Sequence, residues 1–331
     1  MFIKIRNLIF TFFLLSRTVI IMSSSRWLMS WICLEINLIA LIPLLIYKIK
    51  FKNSSTSIKY FTVQAIASIL IFIGIVWANS ELHTILLTEK IDLITISLAI
   101  KLGIPPFQFW VPQVIEIINI VKILMVLVWQ KIAPIVLICY SISNVLLFIV
   151  VIRSLLGAVG GINQNNLKKI FFYSSLVHLS WIIIILSLRE KVWLIYLFSY
   201  SLIIFPLLLW CYQNKIKKMN NVNIRNLDTQ QKIFLLIRVL CLAGLPPFLG
   251  FLIKIIVIQF ILLERSIIFM RIFLVIGSLV SIFYYFKITW TIIIITNSKS
   301  KLLFNNPYKK TLIFFIMLTI NIGTPIMVFL I

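Results

Sequence analysis

Apolar residues arrive along this chain in long runs. Leu8 to Ile21, broken only by a few polar residues and Arg17, Phe61 to Ala78, Val192 to Trp210 and Thr311 to Thr319 are examples, and further runs fill most of the sequence between them. A helical run of about 20 residues spans the hydrocarbon core of a bilayer. On that ruler the pattern predicts about eleven helices, near 3–22, 26–47, 59–78, 91–104, 117–139, 144–162, 170–188, 192–212, 232–262, 268–296 and 311–330. The expected fold class is all-α: a polytopic membrane helix bundle, with residues 1–331 as a single transmembrane domain and no separate soluble domain. In lipid every backbone polar group must be satisfied inside the span, and helices do that. Ser23 to Ser25 lead straight into Arg26 and another span without a small-residue cleavage site, so the first stretch reads as a retained helix.

Composition sharpens this picture. The chain is 62% apolar and 12% charged, against roughly 45–50% and 25% in soluble domains. The formal charge of +23 sits singly or in short clusters between apolar spans, with no basic domain and no aromatic-interleaved patch, which argues against nucleic acid as a partner. It is explained instead as a topology signal. Loops on the side of the N-terminus carry Lys48, Lys50, Lys52, Lys168, Lys169, Lys215, Lys217, Lys218, Arg225, Lys299, Lys301, Lys309 and Lys310, besides Lys4 and Arg6. The opposite loops carry Arg26, Lys90, Arg189, Lys191 and Arg265 together with Glu81, Glu89, Glu190 and Glu264. The N-terminus is therefore expected on the positive-inside face and, with an odd helix count, the C-terminus on the other. Cys33, Cys139, Cys211 and Cys241 lie in or beside apolar spans with no CxxC spacing and read as small hydrophobes. No phosphate loop, Ser/His/Asp arrangement or metal-ligand spacing is present in the sequence, so no cofactor or metal is expected on this chain.

Charges within the spans carry the functional signal, because an ionisable side chain at membrane depth needs a partner, water or a function. Glu35 lies deep in the second span. Lys101 precedes Gly103-Ile-Pro-Pro-Phe107, Lys131 precedes Pro134, and Lys254 follows Gly244-Leu-Pro-Pro-Phe248. The competing reading for each is a structural ion pair or a side chain reaching an interface. Prolines that interrupt a helix at this depth are tolerated where the backbone is enclosed in protein or lines water, and broken helices with a charge mark ion paths. The two similar breakers predict two broken helices and an inverted repeat with halves near 26–140 and 144–296. Glu35 and Lys101 are expected to face each other across a hydrated cavity. His178, among Ser174, Ser175 and Ser180, reads either as a relay member or as a hydrogen-bonded core residue. Arg153 and Arg238 have no breaker beside them and read as structural, Arg17, Lys122 and Lys287 as snorkelling, and His83 as an incidental loop residue.

The residues Leu34-Glu-Ile-Asn-Leu38, Lys101-Leu-Gly-Ile-Pro-Pro-Phe-Gln-Phe-Trp-Val-Pro112, Trp129-Gln-Lys-Ile-Ala-Pro134, Gly160-Gly-Ile-Asn-Gln164, Tyr173-Ser-Ser-Leu-Val-His178 and Gly244-Leu-Pro-Pro-Phe-Leu-Gly-Phe251 resemble, in order and over nearly the whole chain, the antiporter-like membrane subunits of respiratory complex I. Within them the similarity is to the mitochondrially encoded, insect-like subunit 2 (NADH dehydrogenase) family. The resemblance implies an antiporter-like fold in the mitochondrial inner membrane, with the N-terminus in the matrix and the C-terminus in the intermembrane space. It implies a proton relay of Glu35, Lys101, Lys131 and Lys254 along the midplane. NADH, FMN, iron-sulfur clusters and ubiquinone are then bound by other subunits, and the partners are the other membrane-arm subunits and lipids rather than further copies of this chain. Two departures stand out: Gln108 replaces the family's usual His and cannot take up a proton near neutral pH, and Ile253 replaces a common Pro. The alternative readings are a stand-alone cation/proton antiporter and a purely structural membrane scaffold.

Overall fold

A computed structural model of the chain describes residues 2–46, 51–79, 87–188, 190–214, 216, 229–263 and 268–298. The regular elements among them are helical, and they group into two compact units, Met1–Arg153 and Ser154–Ile331. The expected span 311–330, His83 and most of the loop charges that set the expected orientation lie outside the described residues.

The first unit begins with α1 (Phe2–Ser23), α2 (Trp27–Leu45), α3 (Phe51–Asn79) and α4 (Leu87–Leu102). A 3-10 turn (Phe107–Phe109) leads into α5 (Trp110–Ile117), and α6 (Ile120–Leu124) runs through a π turn (Met125–Trp129) into α7 (Gln130–Ile138). α1 packs on α2 and α7, α2 on α3, α3 on α4 and α5, and α4 on α7. The apolar pattern predicts one helix over 117–139 and a connection over 105–116. Residues 107–117 are helical instead, since Pro112 falls in the first turn of α5, where no intrahelical donor is needed. Pro134 removes a ladder donor from the following helix, which carries the π turn just upstream.

The boundary between units falls inside α8 (Asn144–Ile162). The second unit continues with α9 (Leu167–Ser187), α10 (Val192–Gln213), α11 (Thr229–Ala243), α12 (Leu249–Leu263) and α13 (Ile268–Ser298). α9 is its hub, touching α10, α12 and α13, and nearly every side chain from Ile170 to Leu186 is buried. Its serines cost little there, because Ser174, Ser175 and Ser180 donate to the carbonyls of Phe171, Phe172 and Val177 at 2.9, 2.6 and 2.6 Å. The outward faces of both units are apolar: Phe12, Phe148, Phe198, Phe269 and Trp290 are each about two-thirds exposed. A surface of that kind suits acyl chains rather than water. Seven helices among the described residues are long and apolar enough to cross a membrane.

Candidate functional site

Two helix ends, one in each unit, are built alike. α4 stops at Leu102 and α11 at Ala243, and the next residues, Gly103 and Gly244, have φ of +64° and +74°. Only glycine adopts this conformation without cost. Ile104 N–H reaches back to Ala99 O at 3.0 Å and Leu245 N–H to Leu240 O at 3.4 Å, which is the six-residue closure of a Schellman motif. A tight turn over the proline pair follows, closed by Phe107 N–H to Ile104 O at 2.8 Å and Phe248 N–H to Leu245 O at 3.0 Å, with both Pro-Pro bonds cis. The ladder cannot continue, because the prolines bring no donors. Each stop leaves the negative end of a helix dipole within the protein, and a cation placed there is stabilised.

A lysine sits at each of these ends. Lys101 belongs to the last turn of α4 and is 8% exposed. Lys254, 7% exposed, comes from α12 and donates from Nζ to Ala243 O, the last residue of α11, at 2.9 Å. A Cβ on Gly244 would stand 2.7 Å from this Nζ, so the glycine also makes room for the ammonium.

Beside Lys101 is a cavity of about 10 Å³, lined by Leu34, Asn37, Leu38, Tyr60, Gln64, Trp129, Gln130, Ala133 and Pro134 as well as the lysine. That is the room needed by roughly one water. Asn37 Oδ1, Gln130 Nε2 and Trp129 Nε1 are buried at this place without a hydrogen-bond partner among the described residues. One acceptor and two donors facing a water-sized space make a polar site rather than a packing defect. Glu35 acts on Lys101 electrostatically but does not line the cavity. Asn37, two positions on and turned by about 200° about α2, lines it instead. Gln64 Nε2 donates to Lys101 O at 3.1 Å, satisfying a carbonyl freed where the helix stops. Gln64→Leu should orphan that carbonyl and destabilise the unit by about 1–3 kcal/mol. An unchanged thermal inactivation midpoint of the assembled protein would show that the bond is not needed.

Lys131 is 6% exposed and is the second residue of α7, just past the π turn, where Gln130 N–H reaches back five residues to Met125 O. π turns of this kind gather at functional sites. Its electrostatic neighbour is the fully buried Arg153, which the sequence reading kept as structural. His178 is 5% exposed, with Nδ1 3.0 Å from the hydroxyl of Tyr196. Arg238 donates to Leu202 O at 3.5 Å and lies over the Phe234 ring at 5.2 Å. Gln108 is buried, and its Oε1 has no partner among the described residues.

Glu35, Lys101 and Lys131 thus belong to the first unit, and His178 and Lys254 to the second. Sequence reading passed over Asn37, Tyr60, Gln64 and Gln130. A signal existed for α3: Tyr60, Gln64 and Ser68, at i, i+4 and i+8, put three polar groups on one buried face of an apolar helix.

The model of the family described as NADH:quinone oxidoreductase/Mrp antiporter, TM matches residues 24–281. The chain belongs to that family. The matched stretch contains Glu35, Lys101, Lys131, His178 and Lys254 and both proline stops. NADH-ubiquinone oxidoreductase chain 2 of Anopheles gambiae is 33% identical over 98% of this chain and 97% of its own length. The Aedes aegypti protein of the same name is 36% identical over 92% and 91%. Among solved structures, a chain of respiratory complex I from Thermus thermophilus with bound aureothin superposes with a TM-score of 0.79 at 19% identity, covering 87% of this chain and 70% of that one. At that identity the likeness is one of fold.

Proposed function

We infer that the protein is a proton-translocating, antiporter-like subunit in the membrane arm of respiratory NADH:ubiquinone oxidoreductase, a multi-pass protein of the mitochondrial inner membrane. The observation that carries the mechanism is the pair of buried lysines, Lys101 and Lys254, each held at a helix end that stops inside the protein. The chain contributes no redox centre. NADH, FMN, iron-sulfur clusters and ubiquinone belong to partner subunits, and the work of this one is to hold and move protons while the bundle excludes bulk water.

Glu35, Lys101, Lys131 and Lys254 are the carriers in this reading. A carboxylate near an ammonium favours its protonated form, and withdrawing or neutralising the carboxylate does the reverse. Glu35 is placed to do this to Lys101. A water in the cavity, held by Asn37, Gln130 and Trp129, is the acceptor or donor for the proton that Lys101 exchanges. Lys254 holds its proton in a charge-assisted bond to Ala243 O, a bond that weakens once the amine is neutral. Proton release there is coupled to freeing the side chain from the helix end. His178 joins the relay through its hydroxyl neighbour.

The like construction of the two stops supports interrupted membrane helices and an inverted repeat with halves near 26–140 and 144–296, inside a single domain of eleven spans. The N-terminus is assigned to the matrix and the C-terminus to the intermembrane space, on the loop charges.

The test is Glu35→Gln in the assembled complex, reconstituted in sealed vesicles. Expected is a roughly 10-fold loss of NADH-driven proton transport at normal assembly. Transport at the parent rate would favour a scaffold, and cation/proton exchange by the isolated chain in liposomes would favour an autonomous antiporter.

A further inference from the structure

His178 stands next to a cluster of phenols that the lysine relay does not use. Tyr196 OH is 3.0 Å from its Nδ1, and the Tyr200 ring lies 5.0 Å from the imidazole. α13 adds Tyr284 and Tyr285, each 1% exposed, with ring centroids 4.6 Å apart. The four interact: Tyr196 with Tyr285 and Tyr200, and Tyr284 with Tyr285 and Tyr200. Ser281 neighbours the Tyr284 hydroxyl and Ser174 that of Tyr285. Both tyrosine hydroxyls are buried among these groups, within reach of Ser281, Ser174 and each other but short of good hydrogen-bond geometry among the described residues.

Packing does not account for this choice of residue. The chain has 26 phenylalanines, and it places them outward beside these very tyrosines: Phe198 is 65% exposed and Phe283 is 68% exposed. Burying a phenol without a partner costs free energy that a buried phenylalanine does not. A dry core takes the phenyl, as it does at Phe171 and Phe172, both buried in α9. The hydroxyls therefore have a use.

We propose that Tyr196, Tyr200, Tyr284 and Tyr285, with Ser174, Ser281 and bridging waters, form a hydroxyl path that carries protons to and from His178. With Nδ1 as the acceptor nitrogen, the Tyr196 O–H bond breaks as the Nδ1–H bond forms. Tyr196 oxygen takes a proton from the next hydroxyl or water, and the imidazole releases its Nε2 proton on the far side. Each oxygen loses one proton and gains one, so no phenolate is formed in the low-dielectric interior. This path rests on the proton-translocating reading above and extends it from lysines to neutral hydroxyls.

The experiment uses assembled complex in sealed vesicles, carrying Tyr196→Phe or Tyr285→Phe, with NADH-driven proton transport measured in H2O and in D2O. Both changes keep ring volume, so a merely structural tyrosine would cost at most some stability and leave the transport rate and isotope effect of the assembled complex unchanged. Expected is a roughly 10-fold fall in transport for each, with a larger solvent isotope effect on what remains, since proton passage becomes the slow step. Parent-like transport and isotope effect in fully assembled Tyr285→Phe complex overturns the path, whatever Tyr196→Phe does to assembly. Lys254→Met, run alongside, separates the two failures. If it stops transport while the tyrosine variants run normally, the hydroxyl path alone is wrong. If it too transports normally, the relay reading of this unit has failed.

Discussion

Complex assembled with Lys131→Met is expected to reach normal abundance and to lose transport about 100-fold, with quinone turnover falling alongside. Lys131 is almost wholly enclosed in α7, and methionine matches its length and apolar volume. Replacing a buried charge with a hydrophobe is often neutral or stabilising, and here it also removes the repulsion between Lys131 and Arg153. A stabilising role therefore predicts no gain in function and no loss beyond assembly. A carrier role predicts loss of transport despite intact assembly, because the proton site itself is gone. Quinone turnover falls with it, since blocked protonation backs up on the redox step that drives it. Lys131→Arg separates charge from titration: it keeps the cation but does not release its proton, so it should fail nearly as badly as methionine. A parent-like proton-to-electron ratio in either variant, read with a pH indicator inside the vesicles, would remove Lys131 from the relay.

Helices were legible where the physics is one-dimensional. An apolar run long enough for a bilayer becomes a helix in lipid whatever its neighbours are, and residues 144–162 span the same helix in the pattern and in the structure. Proline and glycine were legible for a related reason: the missing donors of Pro105 and Pro106, and the positive φ that Gly103 adopts, are local properties. The rotation of a helix about its axis is not local. The pattern finds a deep charge at Glu35, yet whether Glu35 or Asn37 meets the cavity depends on how α2 packs on α3, and both residues sit in a span apolar all round. The π turn before Lys131 was hidden as well, since Met125 to Trp129 read as ordinary apolar helix. Pairings between helices were hidden most. His178 and Tyr196 are 18 residues apart on different helices, and nothing in a single sequence joins them. Serines around His178 marked its surroundings as polar, but those hydroxyls bond their own helix, and the hydroxyl that meets the imidazole is that of Tyr196 on α10.

Gly250→Ala should prevent assembly more completely than the loss of any single charge. A Cβ at this position would collide with the carbonyl oxygen of Cys241 and would lie 3.2 Å from its carbonyl carbon and 3.4 Å from Gly244 Cα. All three are backbone atoms, so no side chain can swing aside, and the methyl is accommodated only by separating the first turn of α12 from the last turn of α11. Overpacking of this kind costs about 1–3 kcal/mol where the surroundings yield, and more where they do not. The same crossing determines the chemistry. Lys254 is one helical turn beyond Gly250, on the same face, and that register brings Nζ onto Ala243 O. Pushing the helices apart takes the ammonium off the helix end that stabilises it and leaves a buried charge without its acceptor. The expected result is little or no assembled complex on a native gel, and thermal inactivation of any residue at a much lower temperature than the parent. Growth at reduced temperature should recover some of it, because the fault is strain in the folded state. A Gly250→Ala complex as abundant and heat-resistant as the parent would mean that the two helix ends do not meet backbone to backbone. The placement of Lys254 on the Ala243 carbonyl would then lose the packing that explains it.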